Sequence, residues 1–106
     1  MAEEALVVFS TFPDAETARK IGRALVEEKL AACVNLLPRI ESIYRWQGKI
    51  ETSEEVLALI KTTIGKYQQL EQRIRALHSY EVPEIIALRP HDGLPEYLNW
   101  IEQSVG

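Results

Sequence analysis

The fold is decided by residues 33–63, CVNLLPRIESIYRWQGKIETSEEVLALIKTT, which predict two long strands joined by a tight turn at Gln47-Gly48. We expect the strands to cover 33–46 and 49–63. Pro38 interrupts the first strand, and because proline lacks the N–H that a sheet ladder uses, it predicts an edge or a bulge. Residues 56–60 are apolar on both sides of the second strand, which predicts that this half is covered on both faces.

Shorter elements flank this hairpin. Residues 6–12 predict a buried strand that stops at Pro13, and Asp14 is the expected N-cap of a helix running to about Leu30. A second helix, a strand over 84–89 and a last helix starting near Pro95 follow. The expected inward stripes of the three helices are Ala18, Ile21, Gly22 and Leu25, then Tyr67, Leu70, Ile74 and Leu77, then Leu94, Leu98 and Ile101.

The order strand, helix, strand, strand, helix, strand, helix is typical of an α+β ferredoxin-like fold, a split βαβ (βαββαβ) with an added C-terminal helix. Right-handed crossovers place both main helices on one face of an antiparallel sheet. The 106 residues are enough for one domain with one core. The sequence therefore predicts a single domain over residues 1–106.

The predicted hairpin is too long for its own protomer. Strands of about 14 residues extend on the order of 45 Å, whereas a helix of about 16 residues covers only about 24 Å. The overhang carries Ile43, Tyr44, Trp46 and Ile50, and an exposed two-stranded ribbon is marginally stable and offers unpaired edges. Because soluble assemblies are mostly closed and symmetric, we expect identical copies to cover it. Trp46 is either a binding residue or an interface anchor, and the interface role is favoured.

Composition narrows the possible partners. The net charge of −4 argues against nucleic acid, which needs clustered Lys and Arg. No run approaches the ~20 apolar residues of a membrane span, so no membrane partner is expected. The single cysteine, Cys33, and the absence of signal-peptide features in the first residues favour a reducing, cytosolic location.

Five segments carry a resemblance to a known family: LAACVN (30–35), IYRWQGKI (43–50), HSYEVPEII (78–86), TFPD (11–14) and LIKTT (59–63). Together they closely resemble the CutA family of small proteins linked to divalent-cation tolerance, over about 6–101. The resemblance implies a homotrimer with interlocking sheets and a role in tolerance of divalent metal ions, with copper the expected metal. Ser10 stands where some bacterial members have a Cys.

The metal-ligand candidates are His78, Cys33 and Glu84. His78 offers an imidazole nitrogen near oxygen donors, or alternatively caps the end of a helix. Cys33 offers a thiolate, or alternatively fills space in the core, which is the favoured interpretation. No CxxC, HxH or HExxH spacing occurs, so no dedicated zinc site and no required cofactor are predicted. We therefore expect these residues to bind copper or another divalent ion with low to moderate affinity.

Catalysis is not predicted, because the polar residues Asn35, Lys61, Tyr80 and Glu84 do not form a nucleophile, base and orienter at a recognisable spacing. The alternative function is a small-molecule effector-binding or signalling and scaffold trimer that resembles the nitrogen-regulatory signalling proteins. Its ligand cleft between subunits would be lined by Trp46, Lys61, Tyr80 and Glu84. A polar network that ties subunits together is the other interpretation of these residues.

Overall fold

The computed structural model describes residues 4–106. Its elements in chain order are β1 (Ala5–Phe12), α1 (Ala15–Glu27), β2 (Cys33–Trp46), β3 (Lys49–Thr63), α2 (Ile64–Leu77), β4 (Ile85–Leu88) and α3 (Pro95–Val105). The strands form one sheet in the order β2-β3-β1-β4, and every neighbouring pair is antiparallel. The predicted ferredoxin-like order with an added helix is therefore confirmed.

The core lies between the sheet and the helices α1 and α2. Alternate residues of β1 and β3 face these helices, because side chains of a strand point to opposite faces in turn. Gly22 allows α1 to approach β2 closely, since a Cβ at this position would lie 3.2 Å from Cγ1 of Val34. The fully buried side chains of this core include Val8, Phe12, Ile21, Leu25, Ile60, Leu70 and Ile74.

Two element boundaries differ from the sequence prediction. Asp14 caps α1 as expected, accepting a 2.7 Å hydrogen bond from the Thr17 N–H, but the helix ends at Glu27 instead of near Leu30. Lys29 adopts the left-handed conformation, with φ of 59°, at a position where glycine or asparagine would have signalled the stop. The fourth strand is also shorter than predicted. In α3, Leu94 is 65% exposed at the N-cap and does not join the inward stripe.

The sheet face opposite α1 and α2 is only partly covered. Directly paired residues share a face, so Leu57 and Leu59 of β3 lie on this side with Phe9 of β1. Leu57 and Leu59 are half-buried, and on β4 Ile86 and Leu88 are 54% and 49% exposed. The prediction that residues 56–60 are covered on both faces is therefore wrong for a single protomer. α3 packs against β3 and β1 and buries Ile101 and Val105.

The β2–β3 hairpin continues well beyond the rest of the sheet. β1 ends with the pair Phe12 and Val56, so residues 40–55, here called the hairpin ribbon, contain only two strands. Gln47 and Gly48 close the turn with φ of 50° and 80°, as two-residue hairpin turns require. The chain measures 47 Å in its longest dimension against 26 and 22 Å in the others. The exposed fractions along the ribbon are 68% for Ile43, 42% for Tyr44, 50% for Trp46 and 62% for Ile50.

A β-bulge marks the base of the ribbon. The register between β2 and β3 shifts between Leu37 and Ile40, where Pro38 and Arg39 have no directly paired residues on β3. Arg39 adopts φ of 61°, a left-handed conformation that is uncommon for a residue with a side chain. The bulge or edge position predicted for Pro38 is confirmed.

Ser10 carries a buried hydroxyl on the core side of β1. It is 0% exposed, and its Oγ has no hydrogen-bond partner among residues 4–106. A buried polar group without a partner costs about 1–3 kcal/mol. We expect Ser10→Ala to raise the free energy of unfolding by about 1 kcal/mol in guanidinium titrations. The control is Ser104→Ala, which loses a 2.7 Å bond to the Trp100 carbonyl and gains no stability; equal effects of the two substitutions would contradict the prediction.

Candidate functional site

His78 directly follows α2 and lies against the end of β1. Its Nε2 is 2.7 Å from the carbonyl oxygen of Thr11, and its Nδ1 is 3.0 Å from the backbone nitrogen of Tyr80. Because the Tyr80 amide can only donate, Nδ1 accepts, and the ring proton is on Nε2, which donates to Thr11. The residue is 8% exposed, and its ring stacks on Phe12 at 4.8 Å between centroids.

These contacts correct the helix-cap interpretation of the His78 side chain. Its backbone N–H caps α2 by donating to the Ile74 carbonyl at 2.8 Å, but the imidazole binds β1 instead of the last helical carbonyls. Both ring nitrogens already have partners. A metal ion could bind Nδ1 only if the Tyr80 N–H were released.

Tyr80 connects His78, at the end of α2, to the hairpin ribbon. Its hydroxyl donates to Oε2 of Glu55 at 2.7 Å, and its ring lies 4.6 Å from that of His78. Burial raises the pKa of the Tyr80 phenol, and the hydrogen bond and negative charge of Glu55 raise it further. Glu55 is only 9% exposed. Glu84, which was predicted for both the metal site and the cleft, is exposed just before β4.

Cys33 lies on the sheet face away from α1 and α2, directly opposite Lys61. The Lys61 ammonium donates a hydrogen bond to the side-chain oxygen of Asn35, and the Cys33 thiol lies 3.7 Å from the same oxygen. Cys33 is half-buried, whereas its neighbour Val34 packs on the core. The core-packing interpretation of Cys33 is therefore wrong.

The predicted metal ligands are not brought together in one protomer. Cys33 pairs with Lys61, which pairs with Val7, and Val7 is four residues along β1 from Thr11, the partner of His78. At ~3.3 Å per residue this separates the two positions by about 13 Å along the strand. No group of three or more His, Cys, Asp or Glu side chains within 4–106 could hold a metal ion. One protomer thus does not gather the three proposed ligands at one point.

The predicted cleft residues are also separated. Lys61 and Glu55, the partner of Tyr80, are six residues apart on β3, roughly 20 Å at ~3.3 Å per residue. Trp46 pairs with Lys49, another six residues and roughly 20 Å further along the ribbon. A cleft lined by all of these residues could form only between copies, so the effector alternative stays a prediction.

One contributor, Glu55, was missed at the level of sequence. It belongs to the polar half of β3, and only its position directly before the apolar run at 56–60 sets it apart from Glu51 and Glu54. Its hydrogen-bond partner is Tyr80, which is 25 residues further along the chain. A local pattern does not report such a contact.

The raised pKa values predict a loss of stability in alkali. Burial and a hydrogen bond to Glu71 raise the pKa of Tyr67 to about 12, and the pKa of Tyr80 is raised as well. The unfolded chain releases its phenolic protons near the ordinary value of 10.0 while the fold retains them, so this stability is complete below pH 10 and is lost above it. We expect the melting temperature to fall as the pH rises from 10.0 to about 12. Tyr80→Phe should flatten this decline; an unchanged decline would contradict the prediction.

Comparison with known proteins places the chain among close relatives. The model of the CutA1 divalent ion tolerance protein family matches residues 6–104. The divalent-cation tolerance protein CutA of Thermus thermophilus is 51% identical over 100 residues, which cover 94% of this chain and 97% of that protein. Protein CutA of Mus musculus is 50% identical over 95 residues, which cover 90% of this chain but only 54% of the mouse protein. The chain thus spans about half the length of some curated relatives.

Solved structures show the same fold. The divalent cation tolerance protein of T. thermophilus superposes with a TM-score of 0.94 at 50% identity, covering 96% of this chain and 99% of that chain. CutA of Xylella fastidiosa gives a TM-score of 0.95 at 48% identity, covering 97% and 99%. The family is described by tolerance of ions and not by a reaction.

The predicted cytosolic location is wrong. One relative, from Arabidopsis thaliana, is named chloroplastic at 43% identity, and the CutA structure from Archaeoglobus fulgidus is described as periplasmic at 39% identity. Among residues 4–106, no helix has the length and apolar character needed to cross a membrane.

The structural match to these CutA proteins extends from β1 to α3 and includes the long β2–β3 hairpin. On the family match over 6–104, the identity to the T. thermophilus protein and the shared structure, this chain belongs to the CutA1 divalent ion tolerance protein family.

Proposed function

We propose that this protein is a homotrimer that acts in divalent-cation tolerance and binds heavy-metal ions, copper most readily, with low to moderate affinity and without turnover. The observation that carries the assembly is the exposed hairpin ribbon. Ile43 and Ile50 lie on one face of it, while Tyr44 and Trp46 lie on the other. A two-stranded ribbon with apolar residues on both faces is marginally stable in water.

We expect other copies of this chain to cover the hairpin ribbon. The ribbon offers the free edge of β2, which is an outer strand of the sheet. The partly covered sheet face adds Leu37, Ile86 and Leu88, which are 40%, 54% and 49% exposed. Closed symmetry lets every copy bury its own ribbon and cover another in the same contact. The family resemblance supports three copies.

Both ring nitrogens of His78 already have hydrogen-bond partners, and this is the reason we expect His78 to bind cations only weakly. Coordination at Nδ1 requires the loss of the part-buried hydrogen bond from the Tyr80 N–H, and leaving a donor shielded from water without a partner costs about 1–3 kcal/mol. That cost lowers affinity by roughly 5- to 150-fold. The Cys33 thiol and the exposed Glu84 carboxylate are the other proposed ligands. Because Cys33 and His78 lie about 13 Å apart along β1 within one protomer, they could share one ion only between copies. A thiolate and an imidazole are donors that copper accepts readily.

A copper titration tests the ligand assignment. Cu(II), and Cu(I) under reducing conditions, are titrated into wild type, Cys33→Ser, Glu84→Gln and His78→Gln. His91→Gln is the matched control, because His91 is an exposed imidazole outside the proposed set. We expect at least one ligand variant to bind about fivefold more weakly or worse, with no change in the control. If all three ligand variants bind copper as tightly as wild type, these residues are not the ligands. If wild type binds no copper, the proposed cation binding is rejected.

A further inference from the structure

Three features meet at Glu55, where the hairpin ribbon leaves the body of the protein. β1 ends one pair earlier, with Phe12 opposite Val56, so Glu55 is the first residue of the two-stranded part of β3. The β-bulge lies directly across from this point, since the register resumes with Ile40 opposite Glu55. A buried hydrogen-bond acceptor thus lies at the base of the ribbon, where the sheet loses its third strand.

The base of the ribbon is weakly held by its own side chains. A bulge bends and twists the strand that contains it. The next pair along is Glu41 opposite Glu54, and like charges directly across a ladder are destabilising. The ribbon extends about 20 Å beyond Ile40, so a change of ~10° at its base displaces the tip by roughly 3.5 Å. An interface built on the tip needs this angle to be fixed.

A chain of contacts connects this base to the end of β1. His78 donates to the Thr11 carbonyl and accepts from the Tyr80 N–H, which holds the segment after α2 in place. Tyr80 then extends its hydroxyl to Glu55 at 2.7 Å. The contact gives the buried Glu55 carboxylate a donor, and such a group needs one. His78, Tyr80 and Glu55 are here called the latch.

We infer that the latch sets the angle of the hairpin ribbon and thereby controls assembly, with Tyr80 and Glu55 acting as positioning residues. The inference rests on the proposed homotrimer. Neither residue needs to contact another copy for this effect. Loss of the hydroxyl should leave the protomer folded and add an orientational cost each time copies associate.

The test compares two tyrosines with matched chemistry. Tyr80→Phe removes the bond to Glu55, whereas Tyr67→Phe removes a 2.9 Å bond from a part-buried tyrosine to Glu71 within α2. Dissociation is followed by sedimentation velocity over a dilution series, in a fixed guanidinium concentration that loosens the wild-type assembly. We expect Tyr80→Phe to raise the protomer concentration at half-dissociation by about tenfold, and Tyr67→Phe to leave it within about twofold.

Substitution of Glu55 supplies a second arm. Glu55→Gln keeps an oxygen that can accept from Tyr80 and should assemble like wild type, whereas Glu55→Val removes the acceptor and should behave like Tyr80→Phe. If wild type assembles and Tyr80→Phe dissociates no more readily than Tyr67→Phe, the latch is overturned while the proposed assembly stands. A monomeric wild type would overturn both.

Discussion

Replacing Ile43 and Ile50 together by glutamate is expected to convert the protein from an assembly into folded monomers. The two side chains are 68% and 62% exposed in the protomer and lie on the same face of the hairpin ribbon. Burying an isoleucine contributes about 1.5–3 kcal/mol, so each copy loses this contribution twice. Each glutamate would also have to be buried without a partner, which costs several kcal/mol more in order-of-magnitude terms. Light scattering gives the mass, and circular dichroism checks that the fold is retained.

The control for this double substitution is Lys20→Glu. It changes the net charge by the same two units but lies on the exposed side of α1. We expect it to leave the mass unchanged, which separates the loss of apolar contact from general charge repulsion. A double variant that keeps the wild-type mass would show that the ribbon is not the contact surface.

His78→Ala is expected to lower the free energy of unfolding by about 2–4 kcal/mol, the largest effect of any single polar substitution proposed here. The substitution leaves the Thr11 carbonyl and the Tyr80 N–H without their partners. It also removes the ring that stacks on Phe12 and contacts Tyr80. Urea titration followed by far-ultraviolet circular dichroism measures the change.

His91→Ala serves as the comparison for His78→Ala. His91 is exposed in the segment after β4, and a substitution at such a position changes stability by less than about 0.5 kcal/mol. If the two alanine variants unfold at the same urea concentration, the buried contacts of His78 do not stabilise the fold as described.

Much of the fold could be predicted because its signals are local. The Gln47-Gly48 turn and the apolar and β-branched residues on either side fixed β2 and β3 to the residue. Asp14 also behaved as predicted, because an N-cap bonds an N–H only three residues away. The end of α1 was predicted too late because Lys29, which carries no turn signal, adopts the left-handed conformation there.

The candidate site was harder to predict because its contacts are long-range. His78 was identified as a key residue, but its partner, the Thr11 carbonyl, is 67 residues away and depends on how β1 ends beside α2. Cys33 was expected to pack in the core, but it lies opposite Lys61 on the other face of the sheet, and its neighbour Val34 takes the core position. Glu55 could not be singled out from its acidic neighbours until the position of Tyr80 was known.

The exposed apolar ribbon underlies the proposed assembly and the latch, and the mass of the wild-type protein in solution tests it most directly. Sedimentation equilibrium at micromolar concentration should return a single species of about three times the 12.1 kDa of the chain. A single species at 12.1 kDa under the same conditions would contradict the account.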